Sequence, residues 1–184
     1  MNQEMNHQAK RRGLIMVYTG NGKGKTTAAL GLALRAIGHG FKVYMVQFMK
    51  GEGNLYGEYL AASKYLPGFE IVRAGRDVFV DRGNPSEEDR VLAKKGLELA
   101  RRAITCGRYE LVILDEVNVA VEWGLLRVED VLDLLKDKPP EVDVVLTGRY
   151  AKPEIMEAAD MVSEVLEVKH HYRAGIPARE GIEF

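Results

Sequence analysis

The chain has 184 residues, of which 46% are hydrophobic and 29% charged, with 19 Gly and 6 Pro. That is the size and composition of one compact domain with a buried core, and it excludes wholesale disorder, collagen-like structure and a two-domain enzyme. The single Cys106 excludes an internal disulfide and a cysteine-built zinc site, so a reducing, cytoplasmic location is expected. Net charge is −1, no apolar run approaches the roughly 18 to 20 residues of a membrane span, and the polar start carries no export signal. Neither a nucleic-acid partner nor a membrane partner is expected. The charge is nevertheless uneven: residues 1–50 hold eight Lys and Arg against one acid, Glu4. A basic first third on an acidic body suits an anionic ligand bound near the start of the chain.

Residues 1–12 lack periodicity and end in Lys10, Arg11 and Arg12, which predicts a basic N-terminal arm, with a single folded domain over 13–184. Leu14 to Thr19 reads as a buried strand followed by a Gly-rich turn. A helix follows, with Ala29, Leu30, Ala33, Leu34 and Ile37 on one face and Gly38 and Gly40 as stop signals. Val43 to Phe48 is a second strand, MKGEGNLYGE a polar loop and FEIVRAG a weaker third strand. Ser86 and Asp89 form a capping-box pattern that opens a helix running to about Cys106. Strands are predicted at Tyr109 to Leu114 and Val142 to Thr147, with VEDVLDLLKDK as a helix between them, and a last helix after Pro153 precedes a strand near Val162 to Val168. Strands alternating with helices predict an α/β fold, a mainly parallel sheet of about six strands with helices on both faces.

The segment TGNGKGKTT, Thr19 to Thr27, lies between the first strand and the first long helix, where a phosphate-binding loop belongs. Glycines at 20, 22 and 24 let backbone N–H groups approach an anion, and the helix behind them adds the positive end of its dipole. Lys25 would reach between phosphate oxygens, and Thr26 stands where the hydroxyl of a G-K-[ST] loop ligates magnesium. The match to G-x-x-x-x-G-K-[ST] is incomplete, because Thr19 occupies the first glycine position. Lys23 is a second candidate charge or a solvated surface lysine.

The complementary half of such a site is an acid at the C-terminal end of a neighbouring apolar strand, and LVILDE supplies Asp115 and Glu116. Carboxylates there hold magnesium or orient a nucleophile, and sequence does not decide which of the two touches the metal. Arg149, just past a strand, is a candidate phosphate contact. Lys169, His170 and His171 could meet an anion, whereas Tyr56, Tyr59, Tyr172 and Phe79 read first as packing residues.

GLIMVYTGNGKGKTTAALGLALRAIGHG, VQFMKG, LVILDEVNVAV, LTGR and KHHYRAGIPAREGIEF stand in this order along the chain. With them the chain closely resembles the CobA/BtuR-type ATP:corrinoid adenosyltransferases, from Gly13 to Phe184, and Thr19 in place of the first glycine is that family's habit. The resemblance implies a P-loop NTPase (RecA-like) fold and transfer of the 5′-deoxyadenosyl group of ATP to the cobalt of a reduced corrinoid, cob(I)alamin or cobinamide, with release of triphosphate. It implies that ATP lies reversed relative to ordinary P-loop NTPases, with C5′ exposed to cobalt. Gly20, Asn21, Gly22, Lys23, Gly24, Lys25, Thr26 and Thr27 would then bind triphosphate. Thr26 and Glu116 would hold Mg²⁺ (or Mn²⁺) with Asp115 beside them, and Lys25, Thr26 and Glu116 would be the residues on which the rate depends. Arg35 and Arg149 would face the nucleotide, and Gln47 and Lys50 would flank nucleotide or corrinoid. Phe79 is the one aromatic in the stretch RAGRDVFVDRG where the family wedges under the corrin. The arm of residues 1–12 would fold over bound corrinoid. A homodimer and an electron donor such as a reduced flavoprotein are further implications. The competing readings are a P-loop kinase or ATPase acting at phosphorus, which would yield ADP or orthophosphate, and a non-catalytic nucleotide- or corrinoid-binding module, which would bind without turnover.

Overall fold

Six short apolar runs become strands in the computed structural model, which describes residues 11–53 and 56–184. They are β1 (Ile15–Thr19), β2 (Val43–Phe48), β3 (Phe69–Ala74), β4 (Leu111–Asp115), β5 (Asp143–Thr147) and β6 (Met161–Glu164). Helices α1 (Lys25–Gly38), α2 (Gly57–Tyr65), α3 (Glu87–Thr105), α4 (Val117–Glu122), α5 (Val128–Lys136) and α6 (Pro153–Ala158) connect them, and a short 3₁₀ turn spans His171–Ala174. Every strand pairing is parallel, in the order β3-β2-β4-β5-β1-β6. The chain first lays strands to one side of β1, then returns to fill β4 and β5 and passes beyond β1 with β6. That reversal opens a crevice at the carboxyl ends of the strands, where α/β sheets bind ligands.

Side-chain alternation sorts the core into two layers. Met16, Val43, Met45, Leu111, Ile113 and Val145 face α1 and α2, against Ala29, Ala33 and Ala62. Val17, Val46, Phe48, Val112, Leu114, Val144 and Leu146 face the other way, against Ala93, Leu97, Ala100 and Ile104 of α3 and Val131 and Leu134 of α5. Both faces of the central strands are therefore apolar, as a parallel sheet requires.

Four features depart from the sequence reading. Arg11 pairs with Asp143 and Arg12 with Asp160, the latter at 3.2 Å, so both belong to the body rather than the arm. The same two carboxylates accept the Leu14 and Ile15 N–H groups at 2.7 and 2.8 Å, fixing the N-terminal edge of the sheet. Residues 1–10 of the predicted arm lie outside the described residues. The last strand ends at Glu164, not Val168, because the Val165 carbonyl turns to accept the Gly22 N–H at 2.7 Å. Helix α2 was unpredicted because it buries only Ala62 and has almost no apolar stripe. Helix α4 was unpredicted because VNVAVE reads as β-branched strand, and it becomes a helix because Glu116 takes φ 63 and turns the chain off β4.

The capping box at α3 forms as expected: Ser86 Oγ accepts the Asp89 N–H at 3.2 Å, and Asp89 accepts the Ser86 N–H at 3.0 Å. Arg76 joins it with two bonds of 2.7 and 2.8 Å to the Asp89 carboxylate, tying the loop after β3 to α3. The Arg76 guanidinium, aided by Ser86, holds the Asp89 carboxyl down at about 2. A depressed carboxylate stabilises the fold above its unfolded value, about 3.9, and this contribution is lost as pH falls through the folded value. Asp89→Asn should therefore lower stability at pH 7 and flatten the acid limb between about pH 4 and 2. Urea denaturation across that range checks it. Ser86→Ala should cost about 1 kcal/mol at pH 7, and less as pH falls through the folded value of Asp89, because Ser86 shares in holding that carboxyl ionised.

Candidate active site

At the carboxyl ends of β2, β4 and β5 the alternation that faces α1 turns from apolar to polar. Val43 and Met45 are followed by Gln47, Leu111 and Ile113 by Asp115, and Val145 by Thr147; all three polar residues are fully buried. Asp115 is the centre of this row. Its Oδ1 accepts the hydroxyls of Thr26 and Thr147, both at 2.8 Å. Its Oδ2 lies 3.3 Å from Lys50 Nζ and 3.4 Å from the donating Gln47 Nε2. Glu58, in the first turn of α2, accepts from Gln47 at 2.8 Å and from Lys50 at 3.1 Å.

The phosphate-loop candidate lies over this row. Strand β5 stands between β1 and β4, and Thr26 nevertheless reaches Asp115 from the first turn of α1. The N-terminus of α1 has no side-chain cap and no acid in its first turn, which leaves N–H groups and the positive dipole end available to an anion. Gly24 takes φ 122, a conformation that L side chains resist, and its Cβ position faces open space. Gly22 is glycine for another reason: a Cβ there would lie 2.6 Å from the Leu166 carbonyl oxygen, where the chain leaving β6 runs against the loop. Lys25 is buried and donates to the Gly22 carbonyl at 2.7 Å.

Loop, α2 and the C-terminal segment enclose a cleft of about 720 Å³, within the range of small-molecule sites. Gly22 to Thr27 and Leu30 form its floor, and Lys50, Tyr56, Glu58 and Ala61 one wall. Glu116, Arg149, His170, His171, Tyr172 and residues 178 and 181–184 complete the lining. Burial raises the Glu116 carboxyl above its ordinary value, reinforced by Asp115 and opposed by Lys25, Lys50 and Arg149. Burial lowers Lys25, with Glu116 opposing and Arg149 adding to the effect. Lys23 is tied to the C-terminal segment, donating to the Ile182 carbonyl at 3.0 Å with Glu183 at 3.8 Å.

Of the residues singled out by sequence, Gly22, Lys23, Gly24, Lys25, Thr26, Thr27, Lys50, Glu116, Arg149, His170 and His171 line the cleft, and so do Tyr56 and Tyr172, which read from sequence as packing residues. Gln47 and Asp115 lie beneath it. Gly20 and Asn21 do not line it; a Cβ at Gly20 would meet the Val165 carbonyl oxygen at 2.5 Å. Arg35 is not brought to it: it sits in the last turn of α1, ten residues beyond Lys25, about 15 Å along the helix axis. Phe79 is fully exposed on the loop between β3 and α3 and does not line the cleft. Sequence reasoning missed Thr147 and Glu58. Thr147 carried the same signal as Asp115, a polar residue ending an apolar strand, whereas Glu58 carried none without α2.

The ATP:corrinoid adenosyltransferase BtuR/CobO/CobP family matches residues 11–184. The chain is 39% identical to the corrinoid adenosyltransferase of Escherichia coli (strain K12), covering 94% of this chain and 86% of that protein. It is 38% identical to the Pseudomonas aeruginosa corrinoid adenosyltransferase, over 94% and 84% of the two chains. Identity to corrinoid adenosyltransferase CobA of Salmonella typhimurium is 37%, over 95% and 87%. Among solved structures, the flagellar accessory protein FlaH from Methanocaldococcus jannaschii superposes with a TM-score of 0.57 at 15% identity, over 84% of this chain and 71% of that one; this likeness is one of fold alone. The match over 11–184 and three near-full-length relatives place the chain: it belongs to the ATP:corrinoid adenosyltransferase family.

Proposed function

We propose that the protein transfers the 5′-deoxyadenosyl group of ATP to the Co(I) of a reduced corrinoid, a cobalamin or a cobinamide, and releases triphosphate, in adenosylcobalamin synthesis or salvage. Besides family membership, one observation supports it most: Lys25, Thr26 and the buried Asp115 converge beneath the uncapped end of α1. In this reaction the bond from C5′ to the α-phosphate oxygen breaks as the Co–C bond forms. Co(I) supplies the electron pair and becomes Co(III), and triphosphate leaves with the pair of the broken bond. No proton has to move, so the work left to the side chains is to position ATP and to stabilise the departing anion.

Lys25 exchanges its Gly22 carbonyl for phosphate oxygens. A full charge at 4 Å is worth on the order of 4 kcal/mol at an effective dielectric of 20, against about 0.3–1 kcal/mol for a helix terminus, so the lysine dominates. The loop amides from Lys23 to Thr27 and the Arg149 guanidinium add donors, with triphosphate in the loop and C5′ directed outward; the Gly22 N–H is held by the Val165 carbonyl. The donor set fits magnesium or manganese. Thr26, Asp115 and Glu116 offer hard oxygens only, and no group of three or more His, Cys, Asp or Glu converges among the described residues. A site of one or two carboxylates completed by phosphate oxygens is how Mg²⁺ is usually held. When bound, the divalent ion would supply positive charge against the negative charge that builds on triphosphate. Phe79, exposed near the strand ends, would meet the corrin. No described helix is long and apolar enough to cross a membrane. A cytoplasmic homodimer served by a reduced flavoprotein completes the reading.

Anaerobic incubation with Mg-ATP and chemically generated cob(I)alamin should give adenosylcobalamin and stoichiometric triphosphate, followed by absorbance and by chromatography of the phosphate product. ADP or orthophosphate without a Co–C bond would instead show chemistry at phosphorus. Lys25→Ala should reduce kcat about 10²- to 10³-fold, the loss typical of one transition-state donor. Because the Glu116 carboxyl is raised in the folded state, its ionised form costs stability, and that cost appears as pH rises through the folded value. Glu116→Gln should therefore raise Tm at pH 7 to 8, the gain vanishing near pH 4, while slowing transfer; paired melting curves and rates check both.

A further inference from the structure

Lys50 stands between two carboxylates that serve different walls of the cleft. Its ammonium is 3.1 Å from Glu58 Oε1 and 3.3 Å from Asp115 Oδ2, and it lies 4.6 Å from the centre of the Tyr56 ring. The side chains of Lys50 and Glu58 are 17% and 14% exposed and that of Asp115 is fully buried, so solvent screens this chain weakly. The oxygens of Asp115 are divided: Oδ1 faces the phosphate loop through Thr26, and Oδ2 faces Lys50 and Gln47. A cation approaching Asp115 beside Thr26 therefore meets a carboxylate already partly neutralised from behind. How strongly it is neutralised depends on how far Lys50 is shared with Glu58.

Glu58 is well placed to do the sharing. It also accepts the Gln47 amide at 2.8 Å, so two of the donors of Asp115 are drawn toward it. Helix α2 has no side-chain cap at Tyr56 and buries only Ala62, which makes the Glu58 contacts the polar anchorage of its first turn. Met49 takes φ 60 at the end of β2, and a Cβ at Gly75 would lie 2.5 Å from the Lys50 backbone nitrogen. The backbone that carries Lys50 is therefore wedged between loops.

We propose that Glu58 is a positioning residue that sets the attraction of Asp115 for a divalent cation by holding the Lys50 ammonium partly off that carboxylate. The inference rests on the reading that Asp115 and Thr26 form the cation site. Without Glu58, Lys50 settles on Asp115 as its one ion-pair partner, with Glu116 farther off, and opposes the cation. Without Lys50, Asp115 faces the cation unneutralised. The two losses act with opposite sign, which a merely structural role for either residue does not produce.

The test is calorimetric titration of ATP into the full-length protein, without corrinoid, in the presence and absence of saturating Mn²⁺. The ratio of the two Kd values measures what the cation contributes at the site. Glu58→Gln should shrink that ratio, and Lys50→Met should enlarge it, each by on the order of tenfold for one weakly screened charge. The double variant should return toward wild type, and Glu58→Asp, which keeps the charge, should stay near it and covers the case in which Glu58→Gln does not fold. Shifts of the same sign, or none, with an Asp115→Asn control that abolishes the Mn²⁺ advantage, would overturn the role of Glu58 and leave the cation site standing. An Asp115→Asn protein that keeps the advantage would overturn both.

Discussion

The site is organised by the burial of one carboxylate. Taking Asp115 out of water costs several kcal/mol even after relaxation, and the fold offsets this only by bringing donors to both of its oxygens. Four side chains do so: Thr26, Thr147, Gln47 and Lys50. Two of them are dictated by the sheet, because β2 and β5 are the strands that flank β4 and parallel register carries Gln47 and Thr147 to the level of Asp115. The third comes from α1, which fixes where the phosphate loop can lie. Strand order, the entry of α1 and the polar ends of otherwise apolar strands thus answer one electrostatic requirement.

That requirement leaves the cleft internally opposed. Burial pushes the Glu116 carboxyl up and the Lys25 ammonium down, so each is held in a setting that disfavours its charged form, and Glu116 sits at a backbone φ of 63 that non-glycine residues seldom adopt. An anionic ligand relieves Lys25 and a cation relieves Glu116, so a metal-bound polyphosphate satisfies both at once. The free protein carries these unfavourable terms uncompensated, the usual sign that function rather than stability set these residues.

The first strand, its Gly-rich loop, the following helix and the acidic strand end were legible because each pairs a strong local period with a turn signal. Asp115 was legible as an acid ending an apolar run, but its place relative to β1 was not, since strand order depends on crossovers that leave no mark in the sequence. Helix α4 was illegible because the αL turn at Glu116 overrides the strand preference of its valines, and α2 because it has almost no apolar stripe. Arg35 followed the resemblance and not the geometry: an axis leaving the loop at 1.5 Å per residue carries it away from the cleft of its own chain. The loop glycines were read as room for phosphate, whereas Gly20 and Gly22 make room for the chain leaving β6.

That last difference changes what the loop is. Its first half packs against Val165 and Leu166, Lys23 holds the C-terminal segment that lines the cleft through Ile182 and Glu183, and Glu183 is gripped in turn by Arg179. Lys25, two residues beyond that bond, lines the cleft and donates to the Gly22 carbonyl. Floor and roof are therefore set by one stretch of about nine residues. In this fold the stretch that lines the cleft beside α1 is also the one that packs against the chain leaving β6 and holds the C-terminal segment.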